Sequence, residues 1–221
     1  MFDNFTPMML ALFGTSLWET VIMVGISGAI GGLLGIPLGV FLRLTDHKGI
    51  LGNRPANVVV GGLVNAVRST PFIILLVAII PFTRLVTGTS IGTWAAIVPM
   101  TLAAAPFIAR LVETALREVD AGLIEAAQSM GASTWQIVWK VLLPEALPGI
   151  VAGLTIALVS LTGYSAMAGA VGGGGLGDLG IRYGYQRFLP DVMLAVVLIL
   201  IVFVQGLQSL GDWLVRRLTH R

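Results

Sequence analysis

Cysteine is absent from the 221 residues, which excludes a disulfide framework, a thiolate metal site and a cysteine nucleophile. Charge is scarce too: charged residues make up 11% against 56% hydrophobic, with a mean hydropathy of +0.93 that water-soluble domains of this length do not reach. No G-x-x-x-x-G-K-[ST] stretch occurs, so the chain cannot hydrolyse ATP by P-loop chemistry. His47 and His220 lie in a loop and at the C-terminus, with no acidic cluster at metal-ligand spacing, and read as solvated surface residues. The acidic residues fall near the ends of apolar runs or in loops, which leaves no buried proton relay. What remains is an integral membrane protein with no catalytic constellation and no power source of its own.

Uncharged apolar runs long enough to cross about 30 Å of hydrocarbon stand out at Thr20 to Leu42, Gly149 to Val171 and Val192 to Leu210. A further run starting at Gly92 holds Pro99 and Pro106, which should kink a helix without ending it, because neighbouring helices re-satisfy the freed carbonyls. The least regular stretch runs from Val58 to Phe82, interrupted by Arg68. That arginine reads as lying near one interface, its stem on apolar neighbours and its guanidinium in water. The expectation is an all-α integral membrane protein forming one domain over 1–221. Its five spans are expected at about 20–42, 58–82, 92–112, 147–171 and 191–214, with a water-facing loop at about 117–146.

Five spans put the termini on opposite sides, and the basic residues orient them. Arg43, Lys48, Arg54, Arg68, Arg110, Arg117, Lys140, Arg216, Arg217 and Arg221 group on one side, against Arg84, Arg182 and Arg187 on the other. The richer side is cytoplasmic, so the long loop and the C-terminus face in and the N-terminus faces out. No lysine or arginine precedes Arg43, which argues against a cleavable signal peptide. Phe2 to Phe13 reads as a short amphipathic segment in the outer interface.

Gly31, Gly35 and Gly39 recur every four residues, and Gly28 and Gly32 do so one face over, so a second helix can approach closely. That seam fits packing within the chain or a dimer. The cluster Gly172 to Gly175 with Gly177 happens to fit G-x-G-x-x-G, but no strand precedes it, so it reads as a tight turn and not as a nucleotide site.

The loop is the most specific segment. Asp120 can cap a first helix, Gly131 can end it in the left-handed conformation, and Ser133 with Gln136 forms a capping box that restarts it. Pro144 is expected to close the second helix. Such a helix-turn-helix is either a connector lying on headgroups or an element shown to a partner.

Read in full, Glu125-Ala126-Ala127-Gln128-Ser129-Met130-Gly131 followed by Ile137, Leu143 and Pro144 resembles the EAA signature of permease subunits in bacterial ABC importers. The likeness covers nearly the whole chain. Arg68-Ser-Thr-Pro-Phe-Ile73, Ile80-Pro-Phe-Thr-Arg84, Ala104-Ala-Pro-Phe-Ile-Ala-Arg110, Leu142-Leu-Pro-Glu-Ala-Leu-Pro-Gly149 and Gly163-Tyr-Ser-Ala-Met-Ala-Gly169 look like the methionine importer permeases. The resemblance implies a permease subunit of the bacterial cytoplasmic membrane that imports methionine, D-methionine and derivatives included, as a homodimer. It implies two ATP-binding subunits docked on the loop, a substrate-binding lipoprotein outside, no nucleic acid, and no cofactor on this chain, ATP and Mg being held by the ATPase.

In that picture Glu125 offers a charge to the ATPase, Ala126 and Ala127 let the helix press into a cleft, and Gly131 fixes the bend. Closure of the ATPases moves the loops as levers and rocks the paired bundles between inward and outward access. Tyr164, Ser165 and Met167 interrupt an aliphatic run and are candidates for the pathway, Met167 for a gate; plain helix packing explains each equally well. A permease for another amino acid shares these features, and a self-powered secondary transporter or channel is the reading from another class.

Overall fold

The computed structural model describes residues 6–47 and 49–219, and every element among them is a helix. Residues 2–5 of the expected interfacial segment, Lys48, His220 and Arg221 lie outside the described residues. Helix α1 runs Pro7–Thr45 in one piece, with the Thr6 hydroxyl accepting from the Met9 amide and Pro7 at its start. The residues from Pro7 to Phe13 are therefore its first turns and not a separate surface segment. Nothing interrupts the ladder between them and the span, and the Thr15 hydroxyl bonds back to the Ala11 carbonyl inside the same helix.

Helix α5, Thr93–Arg117, lies alongside α1 and parallel to it. A Cβ placed on Gly31 would meet that of Ala104 at 2.7 Å; on Gly35, the Ala105 carbonyl at 2.7 Å; on Gly39, the Ala109 carbonyl at 2.6 Å. The glycine stripe is thus a seam within the chain, and Gly28 and Gly32 face Leu158 and Leu154 of the other neighbour, helix α8 (Leu143–Ala170). Met23, Met100 and Leu116 are fully enclosed around this junction.

The second expected span is not one helix. Helix α2 (Arg54–Ser69) and α3 (Phe72–Ala78) meet at 101°, and α4 follows at Ile80–Thr87. The break comes at Thr70, held extended at φ −81°, ψ 124° ahead of Pro71, because a residue before proline is driven out of the helical region. Proline chemistry, and not Arg68, sets the irregularity. Among the described residues four helices are long and apolar enough to cross a membrane, or five if the bent pair counts as one span.

Helix α6 (Ala121–Ser129) is followed by α7 (Thr134–Ile137), which does not stop at Pro144. A π-helical stretch, Val138–Leu142, carries it into α8, Leu143–Ala170, as one 37-residue rod. In the π turn the Leu143 amide donates to Val138, five residues back. This widened ladder ends where Pro144 has no amide to donate, so the proline is taken into the first turn of α8 instead of terminating the rod. Gly149 and Gly153 of α8 face Ala115 and Leu111, so α8 runs antiparallel to α5.

The glycine cluster is the expected turn. Gly172, Gly174 and Gly175 all have positive φ, and the turn leads into the short α9 (Gly175–Leu179) and a second π stretch, Gly180–Tyr185. The Gly175 amide donates to the Glu19 carboxylate at 2.7 Å and the Leu176 amide to the Thr20 hydroxyl at 3.0 Å. The anion at this turn is supplied by α1 itself. Helix α10, Pro190–Thr219, buries only Val192, Val196 and Gly211, the last against Thr155 of α8.

The α1–α5 seam makes a direct prediction. Gly39→Ala places a methyl against backbone it cannot displace and should cost about 1–3 kcal/mol, lowering the thermal unfolding midpoint in detergent. Gly25→Ala, where nothing lies within 4 Å, should leave that midpoint unchanged or raised.

Candidate functional site: the loop between α5 and α8

The loop is a rigid piece with specified ends. The Asp120 carboxylate accepts from the Gly122 amide at 2.6 Å, starting α6. At the other end the Ala132 amide bonds the Ala127 carbonyl at 3.1 Å and the Gly131 amide the Gln128 carbonyl at 2.9 Å, a Schellman closure that requires the left-handed residue Gly131, φ 78°. Ser133 and Gln136 then exchange both bonds of the capping box, at 2.8 and 3.4 Å.

The seven loop residues singled out by sequence divide between two surfaces. Ala127 and Ile137 are buried with Ile124, Val138 and Leu142 against Leu116 and Val119 at the end of α5. Ala127 therefore packs the loop onto its own chain and does not face outward as expected, while Ala126 is exposed. Glu125, Gly131 and Pro144 are exposed and Leu143 is half-buried. Glu125 lines a cavity of about 280 Å³ between α6 and the end of α1, shared with Arg43, Ile50 and Gln128.

Sequence reasoning missed the outer surface. Leu123 and Ala126 of α6 and its C-cap Met130 stand three and four residues apart on one exposed stripe, beside the face that buries Ile124 and Ala127. Trp135 and Trp139, one turn apart, lie edge to face at 5.4 Å and are both exposed. The signal was there as two adjacent apolar stripes on the helix and its cap, one more than the helix needs to pack on its own chain.

Charges tie this loop to the spans. Glu113, 2% exposed, bonds Arg110 at 2.6 Å and Arg117 at 2.6 Å. Arg117 reaches Asp46 at the end of α1, 3.2 Å, and Arg110 donates to the Gly61 carbonyl of α2, 3.0 Å. The Asn57 amide adds a second link, donating to the Leu42 carbonyl at 2.8 Å. Two cations on one buried carboxylate fix the relative positions of α1, α2 and α5 directly above the loop.

The three pathway candidates do not act alike. Ser165 is buried and spends its hydroxyl on the Thr162 carbonyl at 2.7 Å, so it is a packing residue. Tyr164 is half-buried, its ring stacked on Phe72 with centroids 4.5 Å apart and planes 8° from parallel. Met167 is 47% exposed, on a face of α8 it shares with Ile156, Ser160 and Gly163.

Two substitutions test this construction. Glu113→Ala leaves Arg110 facing the interior without its anion and should cost about 3 kcal/mol or more, read as a fall in the thermal midpoint. Gly131→Ala should destabilise the loop by about 1–2 kcal/mol and speed its limited proteolysis, while Gly131→Asn should lose less because asparagine tolerates the left-handed region.

The comparisons with known proteins fit this geometry. The chain is 59% identical over 207 residues to the probable D-methionine transport system permease protein MetI of Vibrio cholerae, covering 94% of this chain and 92% of that protein. To the D-methionine transport system permease protein MetI of Escherichia coli K12 it is 56% identical over 163 residues, 74% of this chain and 75% of the other. Among solved structures, one of inward-facing conformations of the MetNI methionine ABC transporter superimposes with a TM-score of 0.95 at 52% identity, over 96% of this chain and 99% of the other. An amino acid ABC transporter crystallised with histidines shares the fold at a TM-score of 0.77 and 21% identity, over 95% of both chains. Residues 35–220 match the family described as binding-protein-dependent transport system inner membrane component, and the chain belongs to that family of multi-pass cytoplasmic-membrane proteins.

Proposed function

We propose that the chain is the membrane-spanning permease subunit of an ATP-driven methionine importer, taking D-methionine and methionine derivatives as well, and working by alternating access. The observation that carries this reading is the loop: a doubly capped element, locked to α5 and α8 by its own core, that holds an apolar stripe of Leu123, Ala126 and Met130 outward. A free-standing channel has no use for such a surface. A separate ATPase subunit, which carries ATP and Mg, fits it, and the rod that begins at Thr134 and ends at Ala170 joins the loop to the membrane span as continuous helix.

Five spans, with α2 and α3 counted as one, give an N-terminus outside and a C-terminus inside. In support, the helix directions place Arg43, Arg117, Lys140 and Arg216 at the loop's end of the bundle and Arg84, Arg182 and Arg187 at the other. A second copy of the chain closes the pathway against the exposed α8 face of Ile156, Gly163 and Met167, and a substrate-binding lipoprotein delivers from outside. The high likeness to methionine permeases favours methionine over another amino acid.

The test is uptake of labelled methionine into proteoliposomes holding the chain, its ATPase and its binding protein. Uptake should need all three and ATP. Ala126→Asp, on the exposed stripe, should keep the fold but lose ATPase copurification and lower uptake about tenfold or more. ATP-independent uptake by the chain alone would overturn the importer reading; copurification of the ATPase without methionine movement would move the substrate to another amino acid.

A further inference from the structure

The end of the bundle away from the loop carries a second, smaller core. Phe13 of α1, Leu176 and Leu179 of α9, and Val192 and Val196 of α10 are buried together, with Leu17, Tyr183, Leu189 and Ile199 packed against them. Two features lie open at its margins. One is a groove of about 370 Å³ between α1 and α10, lined by Leu17, Leu198, Ile199, Val202 and Phe203 and by no polar residue. The other is the turn just before α10, where aromatic and cationic side chains gather at the surface.

At that turn the Arg187 guanidinium lies over the Tyr183 ring, 4.3 Å from its centre. Arg182 nearby is neutralised by Asp178 at 2.6 Å, whereas Arg187 has no carboxylate and no hydrogen-bond acceptor among the described residues. Phe188 follows at φ 55°, the one residue other than glycine with a positive φ among those described, and it stands 84% exposed beside exposed Tyr185. A bulky side chain in the left-handed region is strained, and here the Leu189 amide on the Tyr183 carbonyl, at 3.4 Å, helps to hold it. Bare rings and a cation at one level are the pattern of a membrane–water interface, where the apolar body of a ring meets lipid and the cation meets phosphate.

The groove lies at the matching depth. From the turn, α10 enters an uninterrupted apolar stretch from Val192 to Val204, and Leu198, Val202 and Phe203 fall inside it. The helix rises about 18 Å between Pro190 and Val202, while one leaflet with its headgroups is about 20 Å thick. A headgroup beside Arg187 and a chain beside Val202 are thus the two ends of one lipid molecule.

We infer that a phospholipid of the leaflet away from the loop is held at this corner, its phosphate on the Arg187 guanidinium and one acyl chain in the groove, with an anionic headgroup preferred. A guanidinium meets a phosphate as a two-pronged donor, and its seat on the Tyr183 ring limits the freedom lost on binding. The groove offers nothing to a polar side chain, and α10 buries only Val192, Val196 and Gly211, which leaves most of its surface open to lipid. A soluble partner would meet the turn but not the groove inside the hydrocarbon; a lipid fills both. The bound molecule closes the gap between α1 and α10 and does not depend on which solute the chain carries.

The experiment places the permease–ATPase complex in nanodiscs containing phosphatidylglycerol with a photoactivatable group in one acyl chain, and maps the label by peptide mass spectrometry. Wild type should be labelled at Leu17 and Val202 well above Leu33, an exposed residue of α1 outside the groove. Arg187→Gln should lower labelling at Leu17 and Val202 about fivefold and leave Leu33 unchanged, the size expected for one basic residue at an anionic surface, while Arg187→Lys keeps part of it. The same probe with a phosphatidylcholine headgroup should label Leu17 and Val202 less than phosphatidylglycerol does. Val202→Trp, at a position 71% exposed, fills the groove from outside and should remove the label from Leu17. ATPase copurification checks that each variant assembles; if Arg187→Gln does not, Val202→Trp decides, loss of the Leu17 label supporting the site and an unchanged label overturning it. Equal labelling of Leu17 and Leu33 in wild type, or wild-type labelling in an assembled Arg187→Gln, also overturns it.

Discussion

Contact between α1 and α5 at Gly31, Gly35 and Gly39 is the constraint on which the rest of the bundle depends. In hydrocarbon there is little hydrophobic drive to bring two apolar helices together, so association rests on how closely their surfaces fit. Three glycines at four-residue spacing let the α5 backbone lie where side chains would otherwise stand. With that pair fixed, α8 is laid across it through Gly28, Gly149 and Gly153, and α10 is added through Gly211. Each later contact uses a small residue, and each would shift if the first were spaced apart.

The polar interactions are few and are placed where they link elements. Glu113 with its two arginines joins α5 to α1 and α2 at one end of the bundle, and Glu19 with Thr20 joins α1 to the glycine turn at the other. Glu113 is paired within α5, and its two arginines reach on to Asp46 and Gly61, while Glu19 accepts from an amide 156 residues away, so neither charge is left without a partner. Between them the interior is mostly aliphatic, with Ser27, Thr155, Thr162 and Ser165 bonded to helix carbonyls and an aromatic corner where Phe72 stacks on Tyr164. The loop outside the membrane and the corner inside it are connected by continuous helix, α5 on one side and the long rod on the other. A two-state motion of those rods is the simplest way for events at the loop to reach the interior.

Much of this was legible in the residues. Apolar run length gave the long helices, and the capping chemistry of Asp120, Gly131, Ser133 and Gln136 specified the loop down to individual hydrogen bonds, because caps and left-handed turns are decided within a few residues of chain. The misreadings came where local signals compete. Pro144 looked like a terminator, yet a π turn absorbed it. The stretch from Val58 to Phe82 looked like one span, yet Thr70 and Pro71 split it. The turns of α1 before Phe13 looked like a surface segment, yet nothing in the ladder stops there.

The sequence by itself determined the solvent, the helical class, the seam of glycines and the form of the loop, since each follows from composition or from spacing along one helix. Only the tertiary structure decided which way each face points: that Ala127 packs inward while Ala126 looks out, that Ser165 is spent on its own helix, and that the Arg68 guanidinium lies 6.0 Å from the Phe107 ring of α5. The physical reason is that a helix presents several faces of similar character, and which one is buried depends on neighbours far along the chain, such as Phe107 for Arg68 and, 156 residues away, Gly175 for Glu19.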